Sequence, residues 1–326
     1  NTTVSLVLNN KQCRISPETR KKVLAIAKKY NYNPNSSARA LVTKKTYTLG
    51  LILPDISNPF FSELAKGIEN EAQEHNYSVI FCNSNQNPQK DINNLCLLIG
   101  KQVDGLIITT SLSDSDSEYI RQFNRIVYES KISAVAVDRQ IPQHNYDSVS
   151  IDHLEGGFLA AKHLLELGHK KIGCITGPLD SATARERYNG YVNALEMFGV
   201  KADPNLVYPG NFQLDSGVEG AEYLVSQGVS AIFACNDMMA FGAYRQVQAM
   251  GKIVGKDISI IGYDDIPLCE LLEYPLTTIH QPISKMGRNA CRLIIELIKE
   301  PQHKRQNIKF LPSLVVRKTT SKYEDS

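Results

Sequence analysis

The stretch "YTLGLILPDISNPFFSEL", residues 47–64, decides the fold of this chain of 326 residues. Its first half is a nearly continuous apolar run of strand length, as in a strand that is buried on both faces of a sheet. Its second half begins a helix, because Asn58 is a favourable N-cap and Pro59 a favourable first helical residue. The stretch therefore predicts a strand followed by a helix, with Phe60 and Phe61 placed where a connecting loop should be polar.

The same order of strand and helix recurs along the rest of the chain. Strand candidates are residues 47–54, 78–83, 103–110, 133–138, 148–152, 171–176, 231–236 and 258–264. Helix candidates are residues 59–76, 89–101, 155–168, 184–198, 215–227, 238–250 and 284–299. Apolar strands that alternate with amphipathic helices imply an α/β fold whose parallel sheets are covered on both faces. One closed barrel and two open sheets fit this pattern equally well.

Several classes of protein are excluded by motifs that the sequence lacks. No apolar run approaches the roughly 20 residues that span a bilayer, and the amino terminus has no signal-peptide hydrophobic region. We therefore predict a cytoplasmic protein without a membrane partner. The sequence has no GxSxG, GxxxxGK[ST] or HExxH motif, and His163 and His169 lie six residues apart, off one helical face. We expect neither an enzyme nor a metal site nor a cofactor.

Charge is divided unevenly along the chain. Residues 1–46 carry ten Lys or Arg residues against Glu18 alone, a net charge of +9, whereas the remainder carries a net charge of −7. A cationic head on an acidic body favours a polyanionic partner, most simply nucleic acid, which is bound through neutralised phosphates. A solvated basic helix would have the same composition.

The pattern within residues 1–46 favours nucleic acid. Val4, Val7 and Leu8 lie at helical spacing, and Ser16 with Pro17 can begin a second amphipathic helix. A polar loop joins these two short helices. A further short helical candidate, "SSARAL", follows before a linker rich in Thr and Lys.

The segments "TTVSLVLNN", "ISPETRKKVLAIAKKYNYNPNSSARAL" and "TLGLILPDISNPFFSEL" resemble the bacterial lactose-repressor/galactose-repressor family of transcriptional regulators. The resemblance covers the whole chain. It implies that residues 1–8 are the recognition helix of a helix-turn-helix and that a later hinge helix kinks the operator DNA. The implied DNA contacts are Asn1, Thr2 and Leu6 on bases, Thr3, Ser5 and Asn10 on phosphates, and Arg39 and Leu41 in the hinge helix.

The headpiece departs from this family in two respects. The family's first helix and turn are absent, so we expect Val4, Val7 and Leu8 to have no partner helix against which to be buried. Either the chain is incomplete or its DNA binding is impaired. Leu6 also stands where a hydrogen-bonding residue is common, which removes a specific base contact. The operator sequence therefore cannot be predicted.

For the body, the resemblance implies a periplasmic-binding-protein-like fold of two doubly wound parallel-sheet subdomains joined by three crossovers, preceded by an all-α headpiece. The implied division is 1–46 for the partial headpiece and hinge, 47–147 with 281–309 for the N-terminal subdomain, and 148–280 with 310–326 for the C-terminal subdomain. The family also implies a homodimer, since two paired heads read two half-sites of operator DNA. The tail has no leucine heptads that would make a tetramer.

Residues that follow each strand are candidate ligand contacts on general grounds, because ligands bind beyond the carboxyl ends of parallel strands. These residues are Asn58, Phe60, Phe61, Asp138, Arg139, Arg187, Phe212, Asn236, Asp237, Asp264, Asp265 and Gln281. Aromatic rings can lie on the C–H face of a sugar, while carboxylates, carboxamides and guanidinium groups bond its hydroxyls. We therefore interpret Phe60 and Phe61 as the floor of a sugar site, and Arg187 as a charged donor in a solvated cleft.

The motifs "NPFF", "DR", "ARERYNGY", "NF", "ND", "GYDD" and "TTIHQP" resemble, in order, the ligand-binding motifs of bacterial ribose-binding proteins, which share the repressor fold. The implied ligand-binding residues are Asn58, Phe60, Phe61, Asp138, Arg139, Arg187, Phe212, Asn236, Asp264 and Gln281. "VIFCNSNQN", "CITGPLD" and "PLTTIHQP" also resemble ribose-operon repressors in particular. Purine-responsive members of the family have Arg in place of Ser181 and no Arg in place of Arg139.

These patterns together predict a transcriptional repressor that binds a pseudo-palindromic operator as a homodimer and responds to a small-molecule effector, ribose. The sugar would close the cleft, misalign the paired hinge helices and so release the operator. Two alternatives remain open. One is a sugar-binding protein without a DNA role, either a transport receptor or a repressor remnant, and the other is a purine-responsive repressor of the same family.

Overall fold

The computed structural model describes residues 2–8, 15–30, 45–111, 117–143 and 146–324. The chain divides into two compact units, residues 1–48 and residues 49–326. The first unit corresponds to the basic head, and the second contains the alternating strands and helices. No helix within the described ranges is long and apolar enough to cross a membrane.

Within its described residues, the first unit contains two helices, α1 (Thr2–Leu8) and α2 (Pro17–Lys29). Ser16 caps α2, because its hydroxyl accepts a hydrogen bond of 3.2 Å from the backbone N–H of Thr19, as the sequence predicts. α1 packs against α2, and the side chain of Val7 is 2% exposed. The expectation that Val7 would find no partner is therefore wrong, whereas Val4 is 42% exposed.

The second unit is built from alternating strands and helices, as the sequence predicts. Its strands are β1 (Thr48–Leu53), β2 (Ser78–Asn83), β3 (Gly105–Ile108), β4 (Ser133–Val137), β5 (Asp147–Ile151), β6 (Ile172–Thr176), β7 (Val207–Pro209), β8 (Ala231–Ala234), β9 (Ser259–Asp264), β10 (Thr277–His280), β11 (Asn307–Phe310) and β12 (Ser313–Val315). Its α-helices are α3 (Pro59–Glu74), α4 (Pro88–Gly100), α5 (Ser117–Ser130), α6 (His153–Glu166), α7 (Ala182–Met197), α8 (Leu214–Ser226), α9 (Asp237–Ala249) and α10 (Ile283–Lys299). Two short 3-10 helices occur at Pro204–Leu206 and Pro267–Glu270.

The strands form two open six-stranded sheets and not one barrel. The first sheet has the order β11-β5-β4-β3-β1-β2, and the second has the order β12-β10-β9-β8-β6-β7. Both are mostly parallel, and β12 runs antiparallel to β10. We call the first sheet with α3, α4, α5 and α10 lobe 1, and the second sheet with α6, α7, α8 and α9 lobe 2.

The chain crosses between the lobes three times, after β5, between β10 and α10, and between β11 and β12. The first crossing differs from the predicted division, which assigned residues from Ser148 onward to the second subdomain. Residues 148–151 pair with β11, and the start of the same strand pairs with β4, so this segment belongs to lobe 1. The first crossing therefore follows Ile151 and leads directly into α6. The assignment of the two lobes as subdomains stays a prediction.

The lobe 2 helices α6 and α7 pack backbone to backbone, which fixes where the side chains of α7 lie. A Cβ atom at Gly157 of α6 would overlap the carbonyl oxygen of Arg187, and one at Gly190 of α7 would overlap the carbonyl oxygen of Leu154. Only glycine allows two helices to approach this closely. The adjacent Gly156 and Gly157 therefore serve helix packing, and they hold Arg187 of α7 against the first turn of α6.

Candidate functional site

A cavity with about 340 Å³ of empty volume, part of it open to solvent, lies between the two lobes. Lobe 1 contributes the side chains that follow β1, β2 and β4, and lobe 2 contributes those that follow β6, β7, β8 and β9. The lining residues are Asn58, Phe60, Phe61, Gln86, Asp138, Arg139, Thr183, Arg187, Phe212, Asn236 and Asp264. Nine of the ten predicted ligand residues are thus brought together around one cavity, and Gln281 is the exception.

Two aromatic rings form the lobe 1 wall. Asn58 caps α3, because its side-chain oxygen accepts a hydrogen bond of 3.0 Å from the backbone N–H of Phe60. The cap places Phe60 and Phe61 in the first turn, with their rings edge to face at 5.0 Å between centroids and 88° between planes. Both side chains are buried, so these rings are a packed wall and not an exposed loop.

A third ring, that of Phe212, faces them from lobe 2. Its ring lies against Gly177, where a Cβ atom would overlap it. Asn236 caps α9 with its side-chain oxygen and donates from its side-chain nitrogen to the carbonyl oxygen of Phe212, at 2.9 Å. The neighbouring Gln213 donates a hydrogen bond of 3.1 Å to a carboxylate oxygen of Asp55, which joins lobe 2 to lobe 1 beside the cavity.

The charged groups of lobe 1 are Asp138 and Arg139, directly after β4. The guanidinium of Arg139 donates to the carbonyl oxygen of Thr110 at 2.8 Å and lies 5.8 Å from the ring centroid of Phe61, a cation–π arrangement. Oδ1 of Asp138 is buried without a hydrogen-bond partner among the residues that the structure describes. Burial raises the pKa of Asp138, although the charges of Arg139 and Arg187 act in the opposite direction.

The central charged group of lobe 2 is Arg187, whose side chain is buried. Its Nη1 donates to the carbonyl oxygen of Cys235 at 2.5 Å and lies 3.5 Å from Oδ1 of Asp264. Its guanidinium carbon lies 3.8 Å from the ring centroid of Tyr263, and its Nε donates to Nδ1 of His153 at 3.3 Å. Burial alone would lower the pKa of Arg187, but the nearby carboxylates raise it. The predicted solvated donor is thus a buried one, and it stays charged.

Gln281 lies behind this group and does not line the cavity. Its side-chain nitrogen donates to Oδ1 of Asp264 at 2.7 Å, and its own Oε1 has no hydrogen-bond partner in the described ranges. Burial raises the pKa of Asp264 well above its ordinary value, although the charge of Arg187 and this hydrogen bond lower it. Gln281 is positioned to orient Asp264, and any contact with a ligand stays a prediction.

Four lining residues have backbone conformations that L-residues seldom adopt. The φ angles of Gln86, Asp138, Phe212 and Asp264 are +55°, +65°, +66° and +121°. Such conformations persist only where the surrounding structure over-determines them, and they cluster at functional sites. They turn the side chains at the ends of β2, β4, β7 and β9 toward the cavity.

Two lining residues and two supporting ones were not predicted from the sequence. Gln86 follows β2, and His153 follows β5, so the rule of reading residues after each strand could have found both. Thr183 lies one helical turn before Arg187 on α7, and only that helical spacing could have indicated it. Tyr263 lies within β9, beneath Arg187, and no sequence pattern distinguishes it from a core ring.

The arrangement suits a small, neutral, polyhydroxylated molecule. Aromatic faces occur on both walls, and buried carboxylates and guanidinium groups converge between them, so each hydroxyl could both donate and accept. Within the described ranges, no group of three or more His, Cys, Asp or Glu residues is placed to hold a metal ion. His163 and His169 bond to the hydroxyls of Thr320, Ser230 and Ser259.

The predicted DNA contacts are only partly within the described residues. The helix predicted over residues 1–8 is present as α1. On it, Thr3 is exposed and Leu6 is half-buried, while the side chains of Thr2 and Ser5 are not described. Asn1, Asn10, Arg39 and Leu41 lie outside the described ranges. Contact of any of these residues with DNA stays a prediction.

Two family models match the sequence. Residues 1–35 match the model of bacterial regulatory proteins of the lacI family, and residues 161–320 match the model of a periplasmic binding protein-like domain. The first match covers most of the basic head, and the second covers most of lobe 2 together with α10 and β11 of lobe 1. The predicted combination of a helix-turn-helix head and a periplasmic-binding-protein-like body is therefore confirmed.

Individual relatives match nearly the full length. An HTH-type transcriptional repressor, PurR of Aliivibrio salmonicida, is 35% identical over 98% of this chain and 95% of its own. A LacI family transcriptional regulator from Enterococcus faecium with bound ribose is 32% identical, with a TM-score of 0.77 over 85% of this chain and 100% of its own. The lac repressor dimer bound to operator and an anti-inducer is 29% identical, with a TM-score of 0.86 over 98% and 95%. These relatives are transcriptional regulators, which confirms the prediction that the chain is not an enzyme.

Proposed function

We propose that this chain, which belongs to the LacI family of bacterial regulatory proteins, is a repressor that ribose releases from its operator. One observation carries the proposal. Nine residues predicted to hold a pentose, drawn from separate strand ends in both lobes, line a single cavity. The repressor class rests on the family, and the choice of ribose rests on the side chains of this cavity.

The chemistry of the lining supports a sugar. Phe60 and Phe61 on one wall and Phe212 on the other offer aromatic faces for the C–H surfaces of a furanose or pyranose ring. Oδ1 of Asp138 is a buried acceptor that has no hydrogen bond within the described residues, and a sugar hydroxyl would satisfy it. Arg187 supplies a donor that stays charged, so its bond to a hydroxyl would be charge-assisted.

A purine base is the second candidate, and the PurR relative, which aligns with nearly the whole chain, favours it. Two residues of this chain argue against it. Ser181, at the N-cap position of α7, replaces the Arg that purine-responsive members have there, and Arg139 adds a cation that they lack. The ribose-bound regulator from Enterococcus faecium lends further support to the sugar.

The partner that we propose is a pseudo-palindromic operator bound by a homodimer in the cytoplasm. The lac repressor, which has a similar structure, is a dimer on its operator, and two basic heads suit two half-sites. The net charge of +9 in residues 1–46 would supply a salt-sensitive share of the affinity. Ribose would favour the closed cleft and lower operator affinity through a coupling free energy of about 1–3 kcal/mol.

Calorimetry with ribose, other pentoses, hexoses and hypoxanthine tests the effector. We expect ribose to bind more tightly than the other sugars and hypoxanthine not to bind. Binding of hypoxanthine without binding of ribose would replace the sugar with a purine and leave the repressor class intact.

Selection of duplexes from a random pool, followed by titration with and without ribose, tests the repressor. We expect specific binding that weakens with salt and weakens further with ribose. Ribose binding without any specific duplex would leave a sugar-binding protein that has no DNA role.

A further inference from the structure

His153 occupies a position that joins the two lobes beneath the cavity. It is the first residue of α6 and directly follows the first crossing of the chain from lobe 1 to lobe 2. Its side chain is 3% exposed. It contacts Arg187 and Tyr263 of lobe 2 on one side, and its Nε2 lies 3.7 Å from Oδ1 of Asp138 of lobe 1 on the other.

The hydrogen bonds of His153 fix its tautomer. An arginine side chain can only donate, so Nδ1 of His153 must accept the 3.3 Å hydrogen bond from Nε of Arg187. The hydroxyl of Tyr263 lies 3.1 Å from the same nitrogen. The ring proton is therefore on Nε2, which lies 3.7 Å from Oδ1 of Asp138 and has no hydrogen-bond partner among the described residues.

The groups around the imidazole keep it neutral. Burial holds the pKa of His153 well below its ordinary value, and the charges of Arg187 on α7, Lys309 on β11 and Arg139 after β4 lower it further. Asp138 after β4 and the hydroxyl of Tyr263 on β9 also face it. A neutral ring can accept from Arg187, whereas a protonated ring would repel it.

Close backbone contacts fix the position of His153 relative to Arg187 and Tyr263. A Cβ atom at Gly156 would overlap the hydroxyl of Tyr263, and one at Gly157 would overlap the carbonyl oxygen of Arg187. The first turn of α6 therefore lies against both groups that His153 contacts. The ring is held at a fixed distance from the guanidinium that lines the cavity.

We propose that His153 is a positioning residue for the effector site: its neutral imidazole accepts from Arg187 of lobe 2 and directs its N–H toward Asp138 of lobe 1. The inference rests on the proposed function, because it concerns the same cavity. His153 does not line the cavity, so it acts through these two charged residues. It sets the spacing of one donor and one acceptor that would bind neighbouring hydroxyls of a single sugar.

Two substitutions separate the two halves of this role. His153→Asn keeps an oxygen near the position of Nδ1 and so keeps the acceptor for Arg187, whereas His153→Gln places its amide near Nε2 and loses that acceptor. Ribose affinity is measured by calorimetry for both. We expect His153→Gln to weaken binding by about 10- to 100-fold, the loss typical of a hydrogen bond to a charged group, and His153→Asn to weaken it by less than about 5-fold.

A control on the same helix is His163→Asn, since His163 bonds to Thr320 away from the cavity. It should keep the wild-type ribose affinity. Thermal unfolding of all variants shows whether each is folded, and a general packing role would lower the affinity of both His153 variants together. Equal affinity for the wild type and both His153 variants, or equal loss in both, would overturn the positioning role.

Nitrogen-15 NMR of the histidine rings tests the same inference without any ligand. The resonances of His153 are those that disappear in His153→Asn, and we expect a neutral ring that carries its proton on Nε2. A proton on Nδ1 would contradict the role of acceptor whatever the ligand. Absence of sugar binding by the wild type, with the expected tautomer present, would instead refute the proposed function and the effect on affinity with it.

Discussion

The two walls of the cavity hold their charged groups in different ways. In lobe 2, Arg187 is bonded to the carbonyl oxygen of Cys235 and to His153, and Gln281 supports Asp264. In lobe 1, Arg139 is likewise bonded to the carbonyl oxygen of Thr110, but Asp138 keeps one carboxylate oxygen buried and without a hydrogen bond among the described residues.

The difference indicates that the two lobes contribute to ligand binding in different ways. Groups that are already bonded in place lose little freedom when a ligand arrives, so the lobe 2 wall is preorganised. An unsatisfied buried acceptor gains a full hydrogen bond when a hydroxyl reaches it, so the lobe 1 wall gains more from a ligand. We therefore expect lobe 2 substitutions to affect stability and affinity together, and lobe 1 substitutions to separate them.

The largest effect is expected from Arg187→Ala. It removes the cation between the carboxylates of Asp138 and Asp264, so ribose affinity should fall by at least about 100-fold. Removing one member of a buried charge cluster should also lower the free energy of unfolding by about 3–5 kcal/mol. Calorimetry and urea unfolding measure the two quantities.

The matched control for that variant is Arg185→Ala, which removes an exposed arginine from the same helix. Ribose affinity should be unchanged in it. A stable Arg187→Ala protein that no longer binds sugar would contradict the preorganised wall, because affinity and stability would then be separable in lobe 2.

The second prediction in lobe 2 concerns Asp237 and the dependence of the free energy of unfolding on pH. Burial raises the pKa of Asp237 to about 6, against hydrogen bonds from Thr278 and the backbone of Ile266. A carboxyl whose pKa is raised on folding binds more protons in the folded state, so stability falls as pH rises from about 4 to about 6. Relative to Asp237→Asn, the wild type should lose roughly 3 kcal/mol over this range. Parallel stability profiles of the two proteins would contradict this.

The lobe 1 counterpart is Asp138→Asn, in which affinity and stability should move in opposite directions. Ribose affinity should fall by about 10-fold, because a neutral amide is a weaker acceptor for a hydroxyl. Since burial raises the pKa of Asp138, its ionised form is disfavoured in the folded state. Replacing it should therefore raise the free energy of unfolding at pH 7.

Urea unfolding with and without ribose measures both changes in that variant. Asp180→Asn, at an exposed position of lobe 2, serves as its control. A loss of stability in Asp138→Asn as large as that in Arg187→Ala would contradict the predicted difference between the two lobes.

The smallest effect is expected from Phe61→Leu. The substitution keeps an apolar side chain in the first turn of α3 but removes the ring beneath the guanidinium of Arg139. Loss of the ring face should weaken ribose binding by about 5-fold. Phe81→Leu, on the half-exposed strand β2, should leave the affinity unchanged in the same calorimetric assay. An equal effect in both variants would exclude a specific role for the aromatic wall.

Much of the fold follows from the sequence because the local signals agree. Asn58 and Pro59 begin α3 as the pattern predicts, and buried strands alternate with helices throughout the second unit. The choice between a barrel and two sheets does not follow, since both contain the same βα units and differ only in long-range pairing. Short strands such as β11 and β12 were missed because three or four residues carry no measurable periodicity.

Most of the site could be predicted because parallel strands end at one edge of each sheet. That rule identified Asp138, Phe212 and Asp264, but it does not indicate whether a side chain lines the cavity or lies behind its wall. Gln281 also follows a strand, yet it lies behind Asp264 because it bonds to that carboxylate. Thr183 lies within a helix and escapes the rule altogether, and the burial of Arg187 depends on contacts between elements that are distant in sequence.

The positive φ angles of Gln86, Asp138, Phe212 and Asp264 bear on how this pocket could be re-engineered or could evolve. At such positions glycine relieves the strain of a positive φ angle. A screen for heat resistance alone would therefore tend to select glycine there and remove the side chains that recognise the effector. A library aimed at a new effector should keep side chains at these four positions. It should vary Thr183 first, because this residue lies within α7 and its helical backbone carries no conformational penalty of that kind.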